Sequence, residues 1–273
     1  MEPRLQRRVQ RYGWDKAASH YERFWSRQLA PAQELLLRMA ALEPGERVVD
    51  VACGTGLVSF QAARSVGPRG ELVGTDISER MVELAAGLAA ELSVAQARFA
   101  RMDAESLDLP DGSFDAALSA LGLMYCPDPL LACGEMLRVL RLGGRAVAAV
   151  WGDRRRCGWA EVFPIVQARV QSEVCPLFFQ LGTGDSLRLT LSQAGFEDVR
   201  AERISTTLHY DSADDALGAA FAGGPVALAY SRFDEPTREG AHQEYLASIE
   251  AFKSGTGYRI PGEFVVGRGE KRE

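Results

Sequence analysis

Val48-Val49-Asp50-Val51-Ala52-Cys53-Gly54-Thr55-Gly56 puts a β-branched run, a carboxylate and a two-glycine loop into nine residues. The pattern predicts a strand that ends on an acid and turns through glycine into a helix over residues 57–66. Gly54 and Gly56 let a ligand approach the backbone closely. The start of the helix offers free N–H groups to an anion.

Outward from this loop the same unit recurs. Glu71-Leu72-Val73-Gly74-Thr75 predicts a second strand, and residues 78–92 a second helix. Residues 97–102 and Phe114-Asp115-Ala116-Ala117-Leu118-Ser119 predict the third and fourth strands. Asp128-Pro129 opens a helix to residue 140, which Gly143-Gly144 is expected to end before a fifth strand at residues 145–151. Alternating strands and helices with short glycine loops predict a parallel sheet covered on both faces. Asp50, Asp76 and Asp103 end the first three strands at intervals of 26 and 27 residues, one βα unit each.

Upstream, residues 1–43 predict two helices, the second from about residue 30 to 42. Arg4, Arg7, Arg8 and Arg11 share a helical face expected to be solvated. Downstream of Trp151 the rhythm loosens. Residues 159–174 and 186–194 predict helices, residues 196–204 a sixth strand, residues 211–254 mostly helix, and residues 258–267 a last strand.

Two ligand classes compete for the loop. A dinucleotide motif needs a third glycine where Ser59 stands, and Asp50 would bring negative charge towards its phosphates. S-adenosylmethionine suits the residues better. Its ammonium and sulfonium complement an acidic strand end, and loop N–H groups would take its carboxylate. Asp76 would accept the ribose hydroxyls, Ile77 and Met81 would flank adenine, and Asp103 with the backbone of Ala104 would meet the adenine edge.

The chain resembles class I S-adenosylmethionine-dependent methyltransferases, most of all the broad ubiquinone/menaquinone-type (methyltransferase domain 11-like) subgroup. The resemblance rests on residues 48–56, on Gly74-Thr75-Asp76-Ile77-Ser78, on Met102-Asp103-Ala104-Glu105 and on residues 114–119. Residues 121–129 and 135–144 extend it, so that it covers about residues 45–151. It implies an α/β, Rossmann-like, seven-stranded, mostly parallel sheet with helices on both faces, an antiparallel last strand and helical cap insertions. It implies a methyltransferase domain over residues 44–273, with insertions at about 152–185 and 211–256, and an N-terminal helical lid over residues 1–43 with Tyr21 above the cofactor. The implied methionine site comprises Asp50, Ala52, Gly54 and Gly56, with Ser119 and Leu121 touching the same half. Ala52 stands where many relatives have glycine, and a small residue there is expected to matter little. The implied activity is methyl transfer to a small-molecule acceptor. A protein acceptor, or a non-catalytic S-adenosylmethionine-binding module, is the alternative.

Plainer readings stand beside these. Asp76 and Asp103 would also serve as helix N-caps. Ile77 and Met81 would serve as core, and Trp14, Tyr21 and Trp25 as a helix-packing stripe. His20, Tyr125 and His209 are the candidates for a general base, and each histidine has an ordinary structural reading. Tyr125 and Trp151 follow the fourth and fifth strands, where an acceptor would lie. Asp153-Arg154-Arg155-Arg156 reads as a solvated loop, and Asp211, Asp214 and Asp215 as a helix start.

Composition narrows the classes. The 273 residues carry 31 basic and 37 acidic side chains, net −6, which argues against a nucleic-acid partner. No apolar run approaches the roughly 18 residues of a membrane span, and no signal-peptide pattern opens the chain. The 5 cysteines (Cys53, Cys126, Cys133, Cys157 and Cys175) form no Cys-x-x-Cys pair. They suggest reduced thiols in a cytoplasmic protein without a metal site, either inert or facing a thiophilic substrate. Oligomeric state is left open, a homodimer included.

Overall fold

The computed structural model describes residues 2–170, 175 and 177–272. α1 (Pro3–Ala40) is one helix of 38 residues. The predicted break near residue 30 does not occur. Pro31 removes one backbone donor, but Gln28, Leu29, Ala32, Leu35 and Leu36 are buried on either side of it, and that packing carries the helix through. Glu2 caps its start by accepting from the amides of Arg4 and Leu5, both at 3.2 Å.

β1 (Arg47–Val51) is buried from Val48 onward, as a central parallel strand must be. It pairs in parallel with β2 (Glu71–Asp76) and β4 (Phe114–Ala120). β3 (Ala97–Arg101) lies outside β2, and β5 (Leu140–Trp151) outside β4. β6 (Glu197–Tyr210) forms the far edge. β8 (Gly257–Glu270) runs antiparallel between β5 and β6, and the two-residue β7 (Lys253–Ser254) pairs with it. The order is β3-β2-β1-β4-β5-β8-β6, with β7 off this path. The expected seven strands form the path, and the sheet reverses direction of growth between β1 and β4. Such a switch point opens a crevice at the carboxyl ends of the strands.

α2 (Ser59–Val66), α3 (Glu79–Glu91) and α4 (Pro129–Val139) are the crossover helices between these parallel strands. Ser78 caps α3 by accepting from Met81 N–H at 3.1 Å, and Asp128 caps α4 through Leu131 N–H at 3.1 Å. The N-cap reading of Asp76 is therefore replaced, because Ser78 occupies that place. Gly143-Gly144 does not end α4. The helix stops at Val139, and β5 already begins at Leu140. The strand register shifts opposite, between Phe114 and Ala116, and a Cβ on Gly144 would lie 2.9 Å from the carbonyl of Arg141. The glycines accommodate a bulge where a cap was expected.

α5 (Val162–Val170) covers part of the predicted 159–174 helix, whose residues 171–174 lie outside the described residues. α6 (Ser186–Gln193) precedes β6, which runs six residues past its predicted end at 204. α7 (Ala213–Leu217), a π-turn over Gly218–Ala222, α8 (Ala227–Tyr230) and α9 (Glu235–Ser248) make up the 211–254 region. Val48, Val49, Phe114, Leu118 and Val147 are fully buried in one core that continues into the α1 residues Leu36 and Ala40. A fully buried side chain of the size of Val, Leu or Phe contributes about 1.5–3 kcal/mol.

Candidate functional site

The crevice at the switch point holds a cavity of about 890 Å³. Its floor is the loop after β1. Ala52 has φ +59°, Gly54 φ +57° and Gly56 φ +94°. Leu121, just after β4, has φ +63°. Two non-glycine residues in the left-handed region, on neighbouring strands, mark backbone strain of the kind concentrated at binding sites. Ala52 thus holds a conformation that glycine adopts without cost, at the place where many relatives have glycine.

Asp50 is 1% exposed. Its Oδ2 accepts from Ser59 Oγ at 2.6 Å, while its Oδ1 is buried without a partner. Burial pushes its carboxyl up to about 7, against the Ser59 hydrogen bond and helped by the charge of Asp76. Asp76 accepts from Gly54 N–H and Ser78 N–H, both at 2.9 Å. Burial raises it to about 6, with these amides pulling the other way. A buried acid with a free oxygen is under strain that a cationic ligand relieves. The S-adenosylmethionine ammonium is such a group, so the residues fit the ligand.

α1 roofs the cavity. Tyr21 lies over the loop: a Cβ on Gly54 would meet its ring at 3.8 Å. Asp15 accepts from Ser78 Oγ at 2.6 Å and ties the helix to the start of α3. Arg7 pairs with Asp103, Nε to Oδ2 at 2.9 Å, and also with the buried carboxylate of Glu105. Arg7 therefore leaves the solvated face on which the helical spacing had put it. Asp103 sits in a turn, bridged to Ser106, and accepts from Glu105 N–H at 3.0 Å.

Ten of the residues singled out for the cofactor line this one cavity: Tyr21, Asp50, Ala52 and Gly54 on one side, and Asp76, Ile77, Met81, Asp103, Ala104 and Leu121 on the other. Gly56 and Ser119 do not. Gly56 gives way to the Phe60 ring, which a Cβ there would meet at 2.6 Å, and Ser119 is fully buried beneath Gly122. Of the general-base candidates only Tyr125 reaches the cavity. His20 is exposed and stacks near Phe24, and His209 faces an outer groove beside Arg259, 2.6 Å from its Nδ1. Sequence reasoning missed Gln10 and Gln33, which reach the lining from α1, along with Arg7. The helical spacing of Gln10 with Gly13 and Ala17, and of Gln33 with Leu29 and Leu36, was the available signal.

The cysteines are all free thiols. Burial pushes Cys133 and Cys157 up to about 12 and Cys175 up to about 11, so they stay protonated and poorly nucleophilic at neutral pH. No cluster of three metal-ligating side chains occurs among the described residues. No helix among them is long and apolar enough to cross a membrane.

A second, smaller cavity of about 320 Å³ adjoins the first. Trp14, Tyr21, Leu121 and Tyr125 wall both. Its deeper wall is aromatic, with Trp25, Trp151 and Trp159 packed edge to face at ring separations of 4.8–6.0 Å.

Residues 42–169 match the family model described as a methyltransferase domain. The chain is 34% identical over 133 residues to the 2-phytyl-1,4-naphtoquinone methyltransferase of Synechococcus elongatus, covering 48% of this chain and 54% of that protein. It thus spans about half the length of the curated relatives it matches. The solved YcgJ protein of Bacillus subtilis superposes with a TM-score of 0.62 at 21% identity, covering 89% of this chain and 99% of that one. Phosphoethanolamine N-methyltransferase 2 of Haemonchus contortus, solved with S-adenosyl-L-methionine, gives 0.61 at 17% identity, covering 95% of this chain and 57% of that one. These two structures share the fold. The family match and the curated relative, together with the loop and carboxylates described above, identify the segment: residues 42–169 are a class I, S-adenosylmethionine-dependent methyltransferase domain.

Proposed function

We propose that the chain binds S-adenosylmethionine in the larger cavity and methylates a small-molecule acceptor held in the smaller one. The observation that carries this reading is the unpartnered Oδ1 of Asp50 in the wall of the larger cavity, next to an apolar chamber that opens from it. Asp50 and the Gly54 loop take the methionine half. Asp76 takes the ribose, and Ile77, Met81, Asp103 and Ala104 take the adenine. When bound, the sulfonium supplies a methyl carbon that is already electrophilic. The chain therefore needs to align the acceptor and exclude water, and alignment alone is worth about 7–11 kcal/mol. α1 supplies the exclusion: Tyr21 and Trp14 wall both cavities from this helix, which the Asp15 and Arg7 contacts hold in place. The acidic balance, and a small chamber lined by no charged side chain among the described residues, favour a small-molecule acceptor over a nucleic acid. Free thiols support a reducing, cytoplasmic setting.

Incubation with methyl-labelled S-adenosylmethionine and a panel of aromatic, amine and protein acceptors tests the reading. Label is expected in an aromatic small molecule. Label only in proteins would favour the protein-acceptor alternative, and cofactor binding with no transfer to any acceptor would favour a binding module.

A further inference from the structure

β6 is an edge strand. One side of its backbone pairs with β8, and the other meets no strand among the described residues. His209 shows which residues face outward. Its N–H donates to Oε1 of Gln28 at 2.8 Å, and its C=O accepts from Nε2 of the same side chain at 2.6 Å. Gln28 thus makes, from α1, the two bonds that a neighbouring strand would make. Outward residues alternate along an antiparallel strand, so Ala201, Arg203, Ser205 and Thr207 also turn their N–H and C=O away from β8. None of these groups meets a backbone partner among the described residues.

Long edges are usually guarded by proline, lysine or a bulge. Residues 201–207 hold neither proline nor lysine, and their register with β8 is regular throughout. Arg203, the one cation in this stretch, is committed to Glu263 and to the carbonyl of Gly182, both at 2.8 Å. The open stretch has two fixed ends. A register shift between Glu197 and Arg200 bounds it on one side, and the Gln28 clamp on His209 bounds it on the other. Ile204 is its midpoint.

We propose that two copies of the chain join through β6, antiparallel, about a twofold axis at Ile204. Ala201 then lies opposite Thr207 and Arg203 opposite Ser205, each twice, which makes about eight backbone hydrogen bonds. The neighbouring registers fail for stated reasons. An axis at Glu202 or at Arg203 would set like charges face to face. An axis at Ser205 would drive Ala201 into the Gln28 clamp of the other copy. In the Ile204 register the exposed Glu202 comes opposite Thr206, which lines an open groove of about 880 Å³ together with Arg27. Arg27 is exposed and has no acidic partner among the described residues, so each copy brings an acid to the other's unpaired cation. The joined sheets form one continuous sheet with both β6 edges covered.

The test uses the full chain. Sedimentation velocity from about 1 to about 200 μM should show a monomer–dimer equilibrium, since an interface of this kind stands at the weak end of specific contacts. Ser205→Pro deletes an outward N–H that serves no bond within its own chain, a place where an edge strand tolerates proline. It should weaken dimerisation at least tenfold, because the bond is lost twice. Ile204→Cys puts two thiols on the axis, at a pair whose Cα atoms stand about 4.5 Å apart, within disulfide reach. Mild oxidation should cross-link it into a dimer. Thr206→Cys sets each thiol opposite Glu202 and should stay uncross-linked. The wild type, whose own cysteines are free and mostly buried, gives the background. A wild type that is monomeric at every concentration would overturn the proposal and leave the edge to an extended segment of another protein. A dimer that cross-links no better through Ile204→Cys than through Thr206→Cys would overturn it too, and this comparison decides even if Ser205→Pro fails to fold.

Discussion

The amide of Gly54 donates to Oδ2 of Asp76 over 2.9 Å, which fastens the loop after β1 to the end of β2. Asp76 therefore has two tasks. It shapes the glycine loop through its backbone hydrogen bonds, and it presents its remaining lone pairs to the cavity. Asp76→Ala should lower S-adenosylmethionine affinity at least tenfold, since each hydrogen bond to a charged group is worth about 1.5–3 kcal/mol. Asp76→Asn keeps an acceptor oxygen and should recover part of the loss. Calorimetric titration of the two variants, with folding checked by circular dichroism, measures the difference.

Ala52 and Gly122 form a coupled pair. A Cβ on Gly122 would lie 2.4 Å from the Ala52 Cβ. Gly122→Ala should destabilise the protein by about 1–3 kcal/mol through overpacking. Ala52→Gly removes a left-handed alanine costing about 1–2 kcal/mol, offset by about 0.4–1 kcal/mol of unfolded-chain entropy. It should be neutral or slightly stabilising, and the double variant should tolerate Gly122→Ala better than the wild type does. Denaturant melts of the four proteins test this.

Asp50 and Asp76 both have carboxyls raised above the ordinary 3.8, to about 7 and about 6. The folded state holds their protons more tightly than the unfolded chain. Their contribution to stability is fully present below pH about 4 and is lost as pH rises to about 7. The ligand-free protein should therefore lose stability across this window. The cationic donor favours the ionised acids, so its affinity should rise with pH between 5.5 and 7.5 and its binding should release protons. Melts against pH test the first statement. Titrations in buffers of different ionisation enthalpy test the second, and an affinity that falls with pH would contradict it.

Arg7 reaches from α1 to Asp103 and to Glu105, whose side chain is 1% exposed. Glu105 also accepts from Asp128 N–H at 2.7 Å, so it organises the turn ahead of α4. Arg7→Ala should expose the first turns of α1 to proteolysis and speed cofactor release. With Arg7 about a third exposed, the global cost should stay near about 1–2 kcal/mol. Limited proteolysis with and without S-adenosylhomocysteine reads the local effect.

The strands that carry Asp50, Asp76 and Ser119 were legible because a βα unit is local: its strand, loop and helix lie within about 30 residues of one another. The same holds for the cavity wall from Asp50 to Leu121. Gly143-Gly144 misled because a bulge and a cap use glycine for the same backbone freedom, and only the pairing of β4 with β5 separates them. Arg7 escaped because its partners Asp103 and Glu105 lie far along the chain, and Gln33 because the cavity it lines is built from distant strand ends. A helix of 38 residues laid across the sheet turns its polar residues inward at points that no local period reveals. The aromatic chamber was half visible. Trp151 and Tyr125 stand at strand ends, while Trp159 and Phe178 join them only through the fold. Gly56 and Ser119 are buried at the motif without facing its cavity, a distinction of direction that spacing does not carry.

Calorimetric titration of the full chain with S-adenosylmethionine at pH 7 tests the central claim most directly. The structure predicts saturable one-to-one binding that is strongly weakened in Asp76→Ala and in Asp50→Ala, with no comparable binding of a nicotinamide dinucleotide. Absence of binding by the folded wild type, or equal affinity in both variants, would contradict it.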